Sequence, residues 1–308
     1  MQRTAKKFKT IFIAGCGDIG QRVARQWRLR GLPVRALARS QASAERLRAH
    51  GIEPVSGDLD LPESLGNFAL NGEAIYYFAP PAEDGEVDLR VTTFVAALEK
   101  QALPEMIVYI STSGVYGDRH GAWVDEETSP HPQTARARRR LYVENTLRQW
   151  GKDHGVPVVI LRVGGIYGPG RLPIERLRKG LPVLREAECG YTNRIHADDL
   201  ARICVAAAEY GGADRIYNVS DGQNGTMTQY FKAVAARLGL PQPREISLGE
   251  AQQQLSPAML SYLVESRRMR NTRMLAELAI TLDYPDLASG LAALDPQREL
   301  AAAAQLVT

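Results

Sequence analysis

The residues that would tie this chain to disulfides, structural metal or a membrane are scarce. Three cysteines in 308 residues, Cys16, Cys189 and Cys204, do not pair evenly and lack metal-ligand spacing. They argue against a disulfide framework and a zinc site and for a reducing compartment, so a cytoplasmic protein is expected. No stretch approaches the roughly 20 apolar residues that a membrane span requires. Charge of one sign is lacking too: 38 basic and 35 acidic residues leave a net charge of +3. That is far from the concentrated basic excess of a nucleic-acid binder, and no nucleic-acid partner is expected. The basic stretch Met1 to Lys9 runs straight into TIFIAG without a signal-type apolar region and reads as a solvated leader. Low-complexity sequence is confined to the alanines at 301–304, which read as a frayed tail.

What remains, 44% hydrophobic and 24% charged residues, is ordinary globular composition. Short runs rich in Val, Ile and Tyr alternate with segments of helical period up to about Val163, the pattern of repeated βαβ units around a parallel sheet. Strands are predicted at 10–14, 33–38, 52–55, 74–79, 106–111 and 156–162, with helices near 19–30, 43–50, 86–101 and 134–150. Gly31 is expected to close the first helix. Beyond Val163 the period is lost in IYGPGRLPIERLRKGLPVLREAECGYTN, then returns as a helix starting near Asp198 or Asp199 and a strand RIYNVS. The expected fold is therefore a Rossmann-type, doubly wound α/β sheet with a small C-terminal substrate lobe. The nucleotide-binding part should span 1–165, completed by 193–220 and 268–284, and the lobe 166–192, 221–267 and 285–308.

The strand TIFIA runs into Gly15-Cys16-Gly17-Asp18-Ile19-Gly20 and then the helical QRVARQWRLR. A glycine-rich turn alone means little, but strand before, helix after and a second strand about 20 residues on match a dinucleotide fingerprint. Gly15 permits the tight turn, Gly17 the approach of a pyrophosphate and Gly20 the packing of helix on strand, while unpaired N–H groups at Asp18 and Ile19 face the phosphates. An acid usually ends the second strand of an NAD site, whereas here Arg39-Ser40 stands there. A guanidinium and a hydroxyl suit a 2′-phosphate, so NADP is expected, with NAD the alternative and a solvated strand-end arginine the competing reading. Asp58-Leu59 after the third strand, Phe78-Ala79-Pro80 after the fourth, and Val163 complete the expected lining. Cys16 reads as a small residue packed in the turn, although a helix N-terminus can lower a thiol pKa.

With the later STSGVYG (111–117), LRVGGIYGPG (161–170), RIHADDLA (194–201) and YNVSDG (217–222), these residues resemble the short-chain dehydrogenase/reductase superfamily. They are most similar to its extended, NAD-dependent epimerase/dehydratase branch, and SRRMRNTRMLAELAITLDYPDLASGL (266–291) extends the likeness to the end of the chain. The resemblance implies that Thr112 polarises a substrate oxygen, against the alternative of a simple strand-end cap. It also implies a tyrosine and, four residues on, a lysine as the acid/base pair, with a glutamate four beyond. Counting back from Glu144, those two positions hold Arg136 and Arg140, and no tyrosine of the chain has a lysine at i+4. A guanidinium cannot titrate near neutrality, so Arg136 cannot replace a phenol.

Arg136 and Arg140 share a helix face and are candidates for an anion clamp and a ribose contact, with Arg138 and Arg139 left to solvent. Tyr116, with Tyr142 and Tyr167 behind it, is the candidate replacement acid. His196 and the paired Asp198 and Asp199 look like a helix start rather than metal ligands, and no metal is expected. Two functions follow: an NADP-dependent oxidoreductase or epimerase-like enzyme acting on a small carbonyl, hydroxyl or sugar-nucleotide-like substrate, or an NADP(H)-binding sensor that has lost the catalytic pair. The superfamily resemblance also implies a homodimer through the helix at 134–150.

Overall fold

The computed structural model describes residues 4–66, 73–82, 85–100 and 102–305. Seven parallel strands form the central sheet: β1 (Thr10–Ala14), β2 (Val34–Ala38), β3 (Glu53–Ser56), β4 (Glu73–Tyr77), β5 (Met106–Thr112), β6 (Val158–Val163) and β7 (Arg215–Val219). Their spatial order is β3-β2-β1-β4-β5-β6-β7, so the chain reverses direction across the sheet between β1 and β4. In a doubly wound sheet that reversal opens a crevice at the carboxyl ends of the strands, where ligands bind.

Helices α1 (Asp18–Leu29), α2 (Gln41–Ala49), α3 (Leu89–Leu98), α4 (Ala135–His154) and α5 (Ala197–Tyr210) cover the sheet. Strand parity sends alternate side chains to opposite cores: Ile11 and Ile13 join one with α1 and α5, Phe12 and Ala14 the other with α3 and α4. Such strands read as continuous apolar runs because neither face meets water. The buried Tyr76 hydroxyl joins two helices to the sheet, accepting from Trp27 Nε1 at 2.8 Å and donating to the Cys204 carbonyl at 3.2 Å. A third core gathers Tyr167, Leu177, Val183, Tyr230, Phe231, Leu263 and Leu291 from the segments after β6. Its main helix is α6 (Met227–Leu238), held by a Thr226–Gln229 capping box.

Several local expectations change. The fourth strand stops at Tyr77, not 79, and the third helix starts at Leu89 behind an Asp88 cap; Gln101, its expected end, lies outside the described residues. Helix α5 is capped by the His196 ring, which accepts from Asp198 N at 3.3 Å, rather than by an aspartate. Asp199 is instead fully buried and accepts from the backbone N–H groups of Asp283 and Tyr284, both at 2.9 Å. The described residues near both ends pack against the fold. Phe8 packs edge-on against Trp27 and Lys6 donates to the Gly211 carbonyl at 2.8 Å. The alanines at 301–304 lie in the helix Pro296–Gln305, whose buried Glu299 accepts from Gly170 N at 2.9 Å. Gly31, at φ +80° just past α1, ends that helix as expected.

Candidate active site

Two clefts lie over the carboxyl ends of the strands. The first, about 380 Å³, opens over β1 to β4 and is lined by Gly15, Gly17, Arg39, Asp58, Leu59, Phe78, Ala79 and Pro80, together with Cys16, Ser43, Arg46, Asp60 and Arg90. The glycines divide their work by geometry. Gly15 sits at φ +95°, and a Cβ there would lie 2.3 Å from Ala79 N, so the turn tolerates no side chain. A Cβ on Gly17 would meet nothing within 4 Å, whereas one on Gly20 would press on the Gly15 carbonyl at 3.1 Å and Ile13 Cγ2 at 3.3 Å. Gly17 therefore leaves open space before the first turn of α1, and no side chain caps that helix. Its N–H groups face the cleft with the positive end of the helix dipole, a ready seat for a phosphate. Burial pushes the Cys16 thiol up to about 12, opposite to the effect of a helix N-terminus.

At the far end of this cleft stand Arg39 and Arg46, and no hydrogen bond or ion pair engages either guanidinium among the described residues. Arg90, by contrast, is held by Asp60 at 2.6 Å and by the Pro80 carbonyl at 3.0 Å. Four of the expected residues turn their side chains away from this lining. Ser40 caps α2, accepting from Ser43 N at 3.2 Å. The Asp18 carboxylate is held by Arg22 at 2.9 Å and Arg171 at 3.0 Å, which leaves its backbone N–H toward the turn. Ile19 points into the core, and Val163 lines the second cleft. Sequence reading missed Ser43, Arg46, Asp60 and Arg90; Arg46 lies on α2, seven residues beyond Arg39.

The second cleft, about 190 Å³, opens over β5 and β6 and joins Thr112, Ser113, Thr134, Arg136 and Val163 to Tyr191, Thr192, Asn193, Tyr262, Glu265 and Arg267. Thr112 ends β5 beside Val163 of β6. Its Oγ1 accepts from Gly114 N at 3.2 Å, so the cap reading and a cleft position coexist, and its hydroxyl proton remains free to donate. Arg136 is exposed in the first turn of α4, and nothing engages its guanidinium among the described residues. Arg267 donates to Glu265 and to the Gly117 carbonyl, both at 2.9 Å, while its buried Nε lacks a partner.

The expected replacement acids are elsewhere. Tyr116 is fully buried under the Arg162 guanidinium, 4.8 Å from its ring, and donates to Asn218 Oδ1 at 2.7 Å. Burial pushes its pKa up to about 12, so Tyr116 is a packed structural residue and not a cleft acid. Tyr167 donates to the Asp286 carbonyl at 3.1 Å, and Tyr142 meets Thr92 at 3.4 Å. The tyrosines that do reach the Thr112 cleft are Tyr191 and Tyr262, exposed by 41% and 43%. No periodic signal marks them, because both come from irregular lobe segments.

Arg140 lies half-buried beside the end of β5, donating to the Ile110 carbonyl at 3.0 Å and to Tyr109 Oη at 3.4 Å. Glu144, one turn further, is not a cleft residue. It is 1% exposed, accepts from Arg162 at 2.8 Å and from the Ser111 hydroxyl, and so clamps α4 to β5 and β6 directly behind Thr112. Arg138 and Arg139 are not left to solvent either: they reach Glu86 Oε1 at 2.8 Å and the Gly85 carbonyl at 2.5 Å.

Comparisons with known proteins agree with this geometry. Residues 11–220 match the model of the NAD-dependent epimerase/dehydratase family. Protein YeeZ of Escherichia coli K12 is 27% identical over 251 residues, covering 77% of this chain and 86% of that one. A solved conserved protein of unknown function from Silicibacter pomeroyi DSS superposes with a TM-score of 0.81 at 29% identity, covering 94% of this chain and 99% of that one. A 4-hydroxy-2-methyl-3-oxo-4-farnesyl-3,4-dihydroquinoline-1-oxide ketoreductase of Stigmatella aurantiaca is 24% identical over 233 residues, 70% of this chain and 68% of that one. With more than half of its length matched by the family model and its glycine turn, strand order and paired clefts in place, the chain belongs to the NAD-dependent epimerase/dehydratase family, of extended short-chain dehydrogenase/reductase type.

Proposed function

We propose that this protein is an NADP-dependent oxidoreductase that reduces a carbonyl, or oxidises the matching alcohol, in the cleft at Thr112. The observation that carries the reading is the pair of clefts at the strand ends, one built around an uncapped helix N-terminus and the other around a free hydroxyl and a free guanidinium. The residues of the first cleft fit a dinucleotide: Gly17 and the N–H groups of α1 would hold the pyrophosphate and Asp58 and Leu59 the adenine, while Arg140, outside that lining and bonded to the Ile110 carbonyl, would reach the nicotinamide-side ribose. Arg39 and Arg46 would meet a 2′-phosphate, which two guanidinia without an ion pair favour, while Asp60 in the same cleft is held by Arg90. Bound there, the cofactor supplies or takes a hydride at the reacting carbon.

The protein's own groups handle the oxygen. Thr112 donates a hydrogen bond from its hydroxyl to the carbonyl oxygen and keeps its proton, and Arg136 stabilises the negative charge that develops as the C=O bond becomes C–O. An arginine in the tyrosine position serves as a fixed cation there, not as an acid. Tyr262, whose hydroxyl stands against Gly165 on the wall of the cleft, supplies the proton that completes the alcohol. The ketoreductase relative from Stigmatella aurantiaca supports reductase chemistry on this scaffold.

Calorimetry with NADPH and NADH tests the cofactor, and NADPH consumption over a panel of carbonyl compounds and sugar nucleotides tests the chemistry. NADPH should bind more tightly than NADH, and Arg39→Ala with Arg46→Ala should lower that preference by about tenfold or more. Thr112→Val should lower kcat with little change in NADPH affinity. Equal affinities that the arginine variants leave unchanged would remove the NADP assignment, and tight NADPH binding without turnover on any panel member would remove the enzyme.

A further inference from the structure

Behind the Thr112 cleft lies a smaller cavity of about 70 Å³, which shares Gly165, Thr192, Asn193 and Tyr262 with it and adds Arg194, Met227 and Tyr230. Arg194 is 7% exposed and carries a full positive charge into this space. Its partners are all neutral: Nη1 donates to Thr192 Oγ1 at 2.7 Å, Nη2 to the Thr226 carbonyl at 3.3 Å and to Met227 Sδ at 3.1 Å. The Tyr230 ring lies 4.3 Å below the guanidinium carbon. No carboxylate forms an ion pair with Arg194 among the described residues, and its Nε–H makes no hydrogen bond.

A buried charge without a counter-charge is costly, and folds rarely retain one that nothing compensates. Asp221 is the acid whose field reaches Arg194, but their direct link is through the backbone, Asp221 N donating to the Arg194 carbonyl at 2.7 Å. Burial also holds the Asp221 carboxyl partly protonated near neutrality. A second observation points the same way. Tyr230 is 7% exposed, lines the cavity, and its hydroxyl has no hydrogen-bond partner among the described residues. The Arg194 Nε–H and the Tyr230 hydroxyl thus border this cavity as donors without an acceptor among the described residues.

We propose that this cavity seats a carboxylate of the substrate, held by Arg194 and Tyr230, so that the compound reacting at Thr112 is an oxo acid or hydroxy acid. The inference rests on the Thr112 cleft being the reacting site. Cavity size and donor count favour a carboxylate over a phosphate. Two planar oxygens match the Arg194 Nε–H and the Tyr230 hydroxyl, whereas three tetrahedral oxygens need more donors than these two supply. Because the cavity adjoins the Thr112 cleft directly, the acid group stands close to the reacting carbon rather than at the end of a long arm.

Binding of acetate, malonate, methyl acetate and inorganic phosphate to the full-length protein, measured by thermal shift and by calorimetry with and without NADPH, tests the proposal. Acetate or malonate should stabilise the protein, and methyl acetate, which keeps the shape without the charge, should not. Arg194→Gln should weaken carboxylate binding by about tenfold or more. Tyr230→Phe removes only the hydroxyl, keeps the ring under the guanidinium, and should weaken it several-fold in a protein that folds normally. Phosphate binding without carboxylate binding, no anion binding at all, or carboxylate affinity unchanged in the Tyr230→Phe protein would each overturn the proposal. NADPH binding in the same titrations is a separate readout, and its absence would overturn the cofactor reading instead.

Discussion

Burial of the Asp221 carboxyl, 7% exposed, pushes its pKa up from 3.8 to about 7, while the N–H of Gln223 at 2.9 Å and the field of Arg194 pull the other way. The proton is held more tightly in the folded chain than in the unfolded one. The stabilising contribution of this group is therefore complete below the unfolded pKa and is lost as pH rises through about 7. Asp221→Asn keeps an oxygen for Gln223 and removes the titration. The variant should be more stable than the parent by about 2–4 kcal/mol at about pH 8 and indistinguishable from it at about pH 3. Urea denaturation at the two pH values reads this directly, and a difference that does not change with pH would mean that the carboxyl is not the source. Nothing in YNVSDG announces such an acid: the segment reads as a strand end, and only the lobe folding over it removes its water.

At the level of elements, the clamp behind Thr112 decides how rigidly the reacting hydroxyl is held. Ser111, Glu144 and Arg162 lie on β5, α4 and β6, are all at most 3% exposed, and are joined by the hydrogen bonds described above. Removing one charge leaves the other buried and unpaired, which costs more than the pair itself contributes. Glu144→Gln should therefore destabilise the protein by about 3–5 kcal/mol, measured by denaturant titration. Replacing both Glu144 and Arg162 with apolar residues of similar volume should recover most of that loss. A double replacement as damaging as the single one would show that shape, not charge, governs this site.

The same elements show what sequence can carry. Strands buried on both faces and a glycine turn between strand and helix leave local, periodic marks, and β1 to β7 and the first cleft could be read from them. The spacing of Arg136 and Arg140 places them on one face of a helix, and both do lie on α4. The cleft tyrosines could not: Tyr191 and Tyr262 come from segments without period, and only the packing of the lobe on the strand ends brings them beside Thr112. Tyr116 misled for the converse reason. Its sequence neighbourhood places it next to Thr112, yet the short helical turn after β5 points it into the core.

Across the whole molecule, the glycine turn and the lobe are tied through charge rather than through a shared core. Arg22 of α1 donates to Asp18 at 2.9 Å, to Asp198 of α5 at 2.5 Å and to the Pro169 carbonyl at 3.0 Å, and Arg171 closes the loop back onto Asp18 at 3.0 Å. Asp199, beside this network, holds the backbone of residues 283–284. The first turn of α1 faces the proposed pyrophosphate seat, so occupation of that seat and the position of the loop at 168–171 share one set of hydrogen bonds. Arg22→Ala removes three of them from a site that is only partly exposed, at a cost of about 2 kcal/mol. Hydrogen exchange should then rise at residues 168–171 while β5 and β6 keep their protection, as expected of a local opening. NADPH at saturating concentration should slow exchange in the parent at the glycine turn and at 168–171 together, and in Arg22→Ala at the turn alone. Equal slowing of both regions in the two proteins would mean that the lobe senses the nucleotide by another route.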